Sequence, residues 1–233
     1  MTLGDNATSP TVAQGSDKKF HQFPRPTLAV DTALLTVDTE RRQLLVVEMW
    51  REDTRKWALP GTFVRQGETL ADAVRRCLAE KLGVTGIRPR QLHVFDDPQR
   101  DHRDWVVSVA HVAVVRPDQL RSLATDAAAG IRLAPADRPG ELSWDHPQMV
   151  RLAKDYVRSR YETEPDPERL LPRRFTLSEL HRVHEAVLGE DIDQFRFRRA
   201  MKNRVVGLNR FDEAAGGRGR PAELYRRKND RDE

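Results

Sequence analysis

The segment from residue 69 to residue 82 most constrains the fold, because its apolar side chains recur at the spacing of an α-helix. These side chains are Leu70, Ala73, Val74, Cys77, Leu78 and Leu82. Gly67 breaks the pattern before the segment, and Gly83 follows it directly, as glycine commonly does at the end of a helix. We therefore predict one amphipathic helix with a single buried face.

Strand-like segments lie on both sides of this helix. β-Branched and apolar residues dominate five stretches, at residues 27–37, 43–50, 57–64, 91–95 and 105–115. Helical spacing of apolar residues predicts a second helix at residues 146–161. Residues 124–139, rich in Ala, Gly and Pro, are predicted to form a loop, and the Pro/Glu-rich residues 162–172 are predicted to form an interdomain linker.

The residues after this linker have the order of a winged helix-turn-helix. Thr176 and Glu179 form a capping-box pattern, which predicts that a helix begins there. Asp193 can cap the next helix. The predicted elements are helices at residues 177–188 and 194–203 and strands at residues 205–211 and 222–225. Helix, short turn, helix and hairpin is the order of that motif.

Length and composition exclude several classes of protein. The 233 residues suit one large or two small domains. We predict a disordered tail at residues 1–22, a first domain at residues 23–162 and a second at residues 163–228. No apolar run approaches the ~18 residues of a membrane span, and residues 1–19 lack the apolar core of a signal peptide. The single cysteine, Cys77, permits no intrachain disulfide. These features are typical of a cytoplasmic protein with no membrane partner.

Charge is distributed unevenly along the chain. The sequence carries 40 Lys and Arg against 36 Asp and Glu, a formal excess of +4. Residues 171–233 hold that whole excess, whereas the residues before them are balanced. A neutral first part and a basic second part suggest two roles, of which the second is binding to a polyanion.

Residues 61–84 have the sequence GTFVRQGETLADAVRRCLAEKLGV, which resembles the Nudix box. That pattern is Gly, five residues, Glu, seven residues, Arg-Glu, an aliphatic residue, any residue, Glu-Glu, any residue, Gly and an aliphatic residue. The residues in register are Glu68, Arg76, Leu78, Glu80, Gly83 and Val84. The resemblance implies an α/β/α sandwich around a mixed sheet, and the predicted strands and helices are compatible with it.

Three positions depart from the Nudix pattern. Thr62 replaces its first Gly, Cys77 replaces the Glu of Arg-Glu, and Lys81 replaces the second Glu of Glu-Glu. In active members this helix face presents carboxylates to Mg²⁺, which prefers oxygen ligands. A thiol is a poor ligand for Mg²⁺, and a lysine puts positive charge where the metal binds. Glu68 and Glu80 alone are too few for a multi-metal hydrolase, so we predict a domain without hydrolysis, catalytic residues or a metal site.

The alternative is an active hydrolase of ADP-ribose or a related dinucleotide, in which another loop supplies the catalytic carboxylate. The available carboxylates are Asp96, Asp97, Asp101 and Asp104. An acidic loop between strands is, however, more often a solvated turn.

Arg76 and Cys77, two residues of the predicted Nudix helix, each have a structural and a functional interpretation. Arg76 either braces the loop before the helix through Glu68 or contacts an effector. Cys77 is interpreted as a core-facing side chain and not a nucleophile, because no histidine lies near it in the sequence.

Residues 95–109 resemble the strand–loop–strand that borders the nucleotide pocket of NrtR-type regulators and their ADP-ribose pyrophosphatase relatives. The resemblance implies ADP-ribose or NAD as an effector, with no cofactor required. Arg100 and Arg103 suit diphosphate oxygens, because arginine pairs with them bidentately. The aromatic candidates for stacking on an adenine are Trp57, Phe63 and Trp105. The alternatives are exposed loop charges for the arginines and core packing for the aromatic residues.

A basic cluster occupies the second helix of the winged-helix pattern. Residues 194–204 contain five Lys and Arg and no acidic residue, and Phe197 and Met201 form one apolar face. Such a helix suits the groove of duplex DNA. The Gly/Arg-rich residues 216–221, which we call the wing, suit phosphates or a minor groove. The predicted DNA-binding residues are Gln194, Arg196, Arg198, Arg199, Lys202, Arg218 and Arg220. The alternatives are a solvated basic face and binding to RNA or to a protein.

Three stretches of the second part resemble the NrtR family, the Nudix-related regulators of NAD metabolism. They lie at residues 171–180, 197–199 and 219–225, and the similarity extends over about residues 25–227. The resemblance implies a homodimer that represses NAD-biosynthesis or salvage genes through operator DNA and responds to ADP-ribose or NAD. Phe195 departs from the family, whose recognition helix usually carries a polar or basic residue there.

Overall fold

The structure is a computed structural model and describes residues 23–120, 130–212 and 221–230. Its helices and strands are β1 (Thr27–Asp38), β2 (Gln43–Arg51), β3 (Lys56–Ala58), β4 (Gly61–Phe63), α1 (Leu70–Leu82), β5 (Arg90–Phe95), β6 (Val106–Val114), β7 (Ile131–Pro135), α2 (His146–Thr163), β8 (Phe175–Thr176), α3 (Leu177–Leu188), α4 (Gln194–Met201), β9 (Val205–Asp212) and β10 (Ala222–Arg227). Within the described residues, no helix is long and apolar enough to cross a membrane. The predicted tail at residues 1–22 lies outside the described residues.

Strands β1 to β7 form one mixed sheet with β1 at its centre. The main path has the order β3-β2-β1-β6-β5, while β4 also pairs with β1 and β7 with β2. β1 and β6 run parallel, with Val30 opposite Val109, and β1 and β2 run antiparallel, with Leu35 opposite Val46. Most side chains of β1 are buried, as expected for a strand covered on both faces.

One helix covers each face of this sheet. Side chains alternate along a strand, so Val30 and Leu34 of β1 pack with Val74 and Leu78 of α1. The other face of β1 belongs to the core that α2 covers, whose side chains include Ala33, Leu35, Met149, Val150, Ala153 and Val157. This arrangement confirms the predicted α/β/α sandwich.

Helix α1 begins and ends where the sequence predicts. The Thr69 hydroxyl oxygen accepts the Asp72 amide hydrogen at 3.2 Å, which satisfies one of the free amides of the first turn. Gly83 adopts the left-handed conformation at φ 64° and donates its amide to Ala79, an ordinary end for a helix. The Nudix-like segment therefore is a loop followed by one regular helix.

The second domain is the predicted winged helix-turn-helix. The capping box is complete: Thr176 Oγ1 accepts the Glu179 amide at 3.1 Å, and the Glu179 carboxylate accepts the Thr176 amide at 2.7 Å. Strands β8, β10 and β9 form a three-stranded sheet beside α3 and α4. Helix α4 ends at Met201, two residues before the predicted end, with Lys202 as its C-cap.

The loop predicted at residues 124–139 is wrong in part, because residues 131–135 form β7. β7 pairs antiparallel with β2, with Leu133 opposite Val47. Its small residues and proline favour a loop in the isolated sequence, but the edge of the sheet supplies hydrogen-bond partners that no local pattern reveals. Residues 121–129 lie outside the described residues.

The single strand predicted at residues 57–64 is instead two strands, β3 and β4, separated by Leu59 and Pro60. Pro60 has no amide hydrogen to give to a strand ladder, and its carbonyl accepts the Thr32 amide at 2.9 Å. The break lets β4 pair with β1, which places Gly61 opposite Asp31.

The segment between the domains is ordered and partly buried. Asp166 accepts the Tyr161 hydroxyl at 2.8 Å and the Leu170 amide at 2.9 Å, and Arg227 Nε lies 3.1 Å from its carboxylate. The predicted boundary between residues 162 and 163 falls in the last turn of α2. The predicted linker is therefore a fixed connection.

One apolar core runs through both domains. Helix α3 contacts α2, β1 and β2. The cluster that contains Leu35 and Met149 of the first domain also contains Leu180, Phe197 and Tyr225 of the second. A change of shape in one domain therefore displaces side chains of the other, because close-packed cores transmit displacement.

Candidate ligand pocket and nucleic-acid interface

A cleft of about 220 Å³ opens in the first domain. It is bounded by the start of β1, by β4, by the end of α1, by the loop between β5 and β6, and by the start of α2. The polar and aromatic side chains that face it are Asp31, Arg51, Thr62, Phe63, Lys81, Arg100, Asp101, Arg103, Trp144 and His146. We call this cleft the ligand pocket.

Asp31 and His146 form the polar floor of the ligand pocket. His146 Nδ1 accepts the Leu59 amide hydrogen at 2.8 Å, so its proton is assigned to Nε2, which lies 3.5 Å from Asp31 Oδ1. Ser108 donates its hydroxyl to Asp31 Oδ2 at 2.6 Å. Burial alone would raise the pKa of Asp31, but His146, Ser108 and Arg100 outweigh it and lower that pKa. The floor is therefore a carboxylate with directed donors.

Both arginines predicted to bind an effector line the ligand pocket, and both already have acidic partners. Arg100 is nearly buried, and its Nε donates to Asp145 at 2.7 Å. Arg103 donates to Asp101 at 2.7 Å and to Asp53 at 3.1 Å. Hydrogen bonds from Arg103 lower the pKa of Asp101. The arginines are thus held in place before any ligand arrives.

The aromatic side chains of the ligand pocket are Trp144 and Phe63. The Arg103 guanidinium carbon lies 4.7 Å from the centre of the Trp144 ring and that of Arg51 lies 5.2 Å from it, close enough for cation–π attraction. Phe63 is exposed at the rim. Sequence reasoning missed Trp144, since nothing in its neighbourhood separates it from a core tryptophan.

Trp57 and Trp105, two other predicted stacking residues, are not among the residues that line the ligand pocket. The Arg132 guanidinium lies 3.9 Å from the centre of the Trp57 ring, and Trp50 meets it edge-on at 5.5 Å. Trp105 is exposed just before β6. Trp57 is therefore occupied by packing within the sheet.

Arg76 braces the loop before α1 and does not line the ligand pocket. Its Nε lies 2.7 Å from Glu68 Oε1, and its Nη2 donates to the Phe63 carbonyl at 3.0 Å. Hydrogen bonds from Arg76 and from the Arg65 amide lower the pKa of Glu68 to about 2. Glu80, also outside the pocket lining, lies 3.5 Å from Arg76. Both remaining Nudix carboxylates thus have basic partners.

The donor set does not fit a Mg²⁺ centre of the Nudix type. Cys77 is buried in the core, and burial raises the pKa of its thiol, so it stays protonated. Lys81 donates to the Gly61 carbonyl at 2.5 Å, within the pocket lining. Among the described residues, no group of three or more His, Cys, Asp and Glu is arranged to hold a metal ion.

The acidic loop contributes one carboxylate to the ligand pocket. Asp101 lines it, but that carboxylate already accepts hydrogen bonds from Arg103. Asp96, Asp97 and Asp104 are exposed outside the pocket lining. The loop therefore does not assemble the carboxylates that a relocated metal site needs.

Helix α4 presents its predicted DNA-binding side chains to solvent. Gln194 and the four cations of the helix and its C-cap, Arg196, Arg198, Arg199 and Lys202, are all exposed. Among the described residues, none of these four cations takes part in a salt bridge. Phe197 and Met201 hold the opposite face, and the Phe197 ring lies 5.0 Å from His181 and 4.9 Å from His184. Arg218 and Arg220 lie outside the described residues.

Comparison with known proteins supports both halves of this description. A NUDIX domain model matches residues 27–156, and a model described as the NrtR DNA-binding winged helix domain matches residues 167–227. The solved structure of Shewanella oneidensis NrtR complexed with a 27mer DNA is 30% identical, covers 86% of this chain and 93% of that chain, and has a TM-score of 0.70.

Two characterised proteins are also similar. The ADPR responsive transcriptional repressor NtrR of Acinetobacter baylyi is 29% identical over 88% of this chain and 83% of its own length. The ADP-ribose pyrophosphatase of Methanocaldococcus jannaschii is 30% identical over 60% of this chain and 79% of its own length. The 30% identity to NrtR over 93% of that chain, with the matches to both domain models, shows that this chain belongs to the NrtR family, in which a Nudix domain is joined to a DNA-binding winged helix.

Proposed function

We propose that this protein is a homodimeric repressor of NAD-biosynthesis or salvage genes. It binds operator DNA through α4 and the wing, and it binds ADP-ribose or NAD in the ligand pocket as an effector. The observation that carries the proposal is the exposed face of α4, whose cations have no salt-bridge partner among the described residues. The similarity to a transcriptional repressor responsive to ADPR supports the effector.

The chemistry of α4 favours duplex DNA as its partner. A helix with buried Phe197 and Met201 and an exposed cationic face can enter a groove without losing its own packing. The N-cap Asp193 holds the first turn by accepting the Arg196 amide at 2.7 Å. Cations without internal partners gain phosphate contacts at no cost in lost salt bridges. A dimer would place two such helices in half-sites about one helical turn apart.

The ligand pocket suits a nucleotide diphosphate. Arg100 and Arg103 offer guanidinium groups to phosphate oxygens, and Lys81 adds a third cation. Trp144 offers a ring to a base, and Asp31 can accept hydrogen bonds from ribose hydroxyls. Trp57 and Arg76, two further candidates for effector binding, instead support the structure around the ligand pocket.

Strand β1 provides one route from the ligand pocket to α4. From Asp31 at the pocket floor, the strand extends about 23 Å to Asp38 at the β1–β2 turn. Arg42 in that turn lies 2.7 Å from Asp191 and 3.4 Å from Glu185. Glu185 lies in the last turn of α3 and Asp191 lies in the turn between α3 and α4, so β1 connects the pocket floor to the residues before the recognition helix.

Helix α2 provides a second route. It begins with His146 on the pocket floor, and near its other end Arg158 donates to the Val187 carbonyl of α3 at 2.9 Å. The ring centres of Tyr161 and His184 lie 5.1 Å apart. Because β1 and α2 meet at the pocket floor, a ligand that separates Asp31 from His146 would move both supports of the winged helix.

We also propose that the ligand pocket binds its nucleotide without hydrolysing it. The position of Lys81, the burial of Cys77 and the Arg76–Glu68 pair support this part of the proposal. The alternative, an active ADP-ribose hydrolase, is favoured by the similarity to an ADP-ribose pyrophosphatase. Turnover of ADP-ribose with Mg²⁺ or Mn²⁺ that is abolished in Glu80→Gln would establish the alternative.

The test of the DNA-binding half compares promoter fragments of NAD-pathway genes with unrelated duplexes and with duplex RNA of the same length. Fluorescence anisotropy at fixed salt should give affinity for the promoter fragments at least about 1,000-fold above that for unrelated DNA. Equal affinity for all three would reject a sequence-specific repressor. Light scattering on the same preparation should give the mass of two chains.

A further inference from the structure

Phe195 is the most exposed large apolar side chain in the part of the chain that the structure describes. It is 77% exposed, whereas Phe197, two residues later on the same helix, is 5% exposed. A large apolar side chain left in water is an unfavourable arrangement, which a partner with an apolar group can relieve.

The position of Phe195 on α4 is fixed by the rest of the helix. Successive residues turn by about 100°, so residues three, four and seven positions apart share a face. Phe195 therefore lies on one face with Arg198, Arg199 and Lys202. Phe197 points to the opposite side and packs on two histidines of α3. Phe195 is the apolar member of the cationic face.

This neighbourhood restricts the partner that can cover the ring. The surrounding cations require a polyanion, and the ring requires an apolar group within it. In the major groove of DNA that group is the 5-methyl of thymine, and residues in the first turn of a recognition helix contact base edges. Phe195 is the second residue of α4, so it belongs to that turn.

We infer that Phe195 is a specificity-determining residue whose ring contacts the 5-methyl group of a thymine in the operator. This inference rests on the proposed DNA-binding function, and it gives one base of the operator that the protein prefers. The contact adds no charge, so it changes which duplex is preferred. The salt dependence of binding is determined by the cations and not by Phe195.

The experiment begins with duplexes enriched by the full-length wild-type protein from a random DNA library. Each thymine of an enriched duplex is then replaced in turn by deoxyuridine, which removes the methyl and preserves pairing and charge. The wild-type protein should lose about fourfold in affinity at one thymine, the equivalent of burying one methyl group. Phe195→Ala should lose nothing further at that position, and Phe195→Leu should keep part of the sensitivity.

Phe23→Ala is the matched control, because Phe23 is also exposed, at 55%, but precedes β1 in the first domain. It should keep the deoxyuridine profile of the wild type. If Phe195→Ala also shows the wild-type deoxyuridine profile, the inference is overturned. It is also overturned if Phe195→Ala alone abolishes bending of the DNA, because the ring would then act as a wedge between bases, which does not require a methyl group.

A wild type that enriches a duplex but is indifferent to every deoxyuridine overturns this inference alone. A wild type that enriches no duplex overturns the proposed function as well.

Discussion

The arginines of the ligand pocket already have acidic partners, whereas the cations of α4 form no salt bridge within the part of the chain that the structure describes. In the pocket, Arg100 and Arg103 already bind aspartates, at 2.7 Å in each case. On α4, the cations at residues 196, 198, 199 and 202 have no salt bridge among the described residues. The pocket is therefore organised before its ligand arrives, whereas the α4 surface is left incomplete until a polyanion binds.

The comparison separates residues that stabilise the fold from residues that bind. A paired, buried charge affects stability when it is removed, because its partner is left without compensation. An unpaired, exposed charge hardly affects stability but affects binding to a polyanion. Substitutions of paired, buried charges and of unpaired, exposed charges test that distinction.

Arg227→Ala should have the largest effect on stability. It leaves Asp166 buried without its cation, 3.1 Å from the lost Nε, and should lower the free energy of unfolding by about 3–5 kcal/mol. Urea denaturation measures this loss. Arg199→Ala on α4 is the control and should change stability by no more than about 0.5 kcal/mol. Equal losses in the two variants would contradict the distinction.

His184 should make stability depend on pH. Burial lowers its pKa to about 4, whereas an unfolded histidine titrates near 6.5. Below about pH 6.5 the unfolded chain takes up a proton that the folded chain does not, so stability falls as pH drops toward 4, by up to about 3 kcal/mol. His184→Gln should lose this component, measured by urea denaturation from pH 7 to pH 4.5. The exposed His102→Gln variant should keep the wild-type dependence.

The double variant Arg198→Ala/Arg199→Ala should weaken DNA binding about 100-fold, or about 2.7 kcal/mol. It should also reduce the slope of log affinity against log salt by about 2, one for each phosphate contact. Anisotropy titrations at about 50 to 200 mM salt, a range over which phosphate contacts strongly change DNA affinity, measure both the affinity and the salt slope. Arg75→Ala on α1, whose arginine pairs with Asp72, should leave both unchanged. A normal salt slope in the double variant would exclude phosphate contacts there.

Arg42→Ala should have a smaller effect on DNA binding, through communication between the domains. It removes the ion pairs with Glu185 and Asp191 and should reduce the nucleotide-induced change in DNA affinity by about threefold, within the usual range of allosteric coupling. The neighbouring Arg41→Ala is the control, because Arg41 is exposed and pairs with Asp38 of the same turn. An unchanged response in Arg42→Ala would exclude β1 as a route.

The sequence predicts those parts of the fold that depend on local patterns. The helix at residues 70–82 follows from apolar spacing and its glycine end, and the start of α3 follows from the Thr176–Glu179 capping box. β7 escapes prediction because its pairing with β2 depends on a distant strand. The ordered connection escapes prediction because Asp166 is satisfied by Arg227, 61 residues away.

The candidate site divides in the same way. The cationic face of α4 can be derived from the spacing of basic and apolar residues within one helix. The ligand pocket cannot, because it joins distant segments. Trp144 and the Asp31–His146 floor carry no local signal, and Trp57 is diverted to Arg132 by the sheet. The prediction of Arg100 and Arg103 depends on a family resemblance and not on their spacing in the sequence.

The central claim is that one chain couples a nucleotide pocket to a DNA-binding helix. The direct measurement is the affinity of the full-length protein for a promoter fragment at fixed salt, with and without saturating ADP-ribose or NAD, while chromatography follows the nucleotide. We predict that at least one of the two nucleotides changes the DNA affinity by about 5- to 150-fold. We also predict that this nucleotide is not hydrolysed during the measurement. An affinity that neither nucleotide alters would contradict the claim.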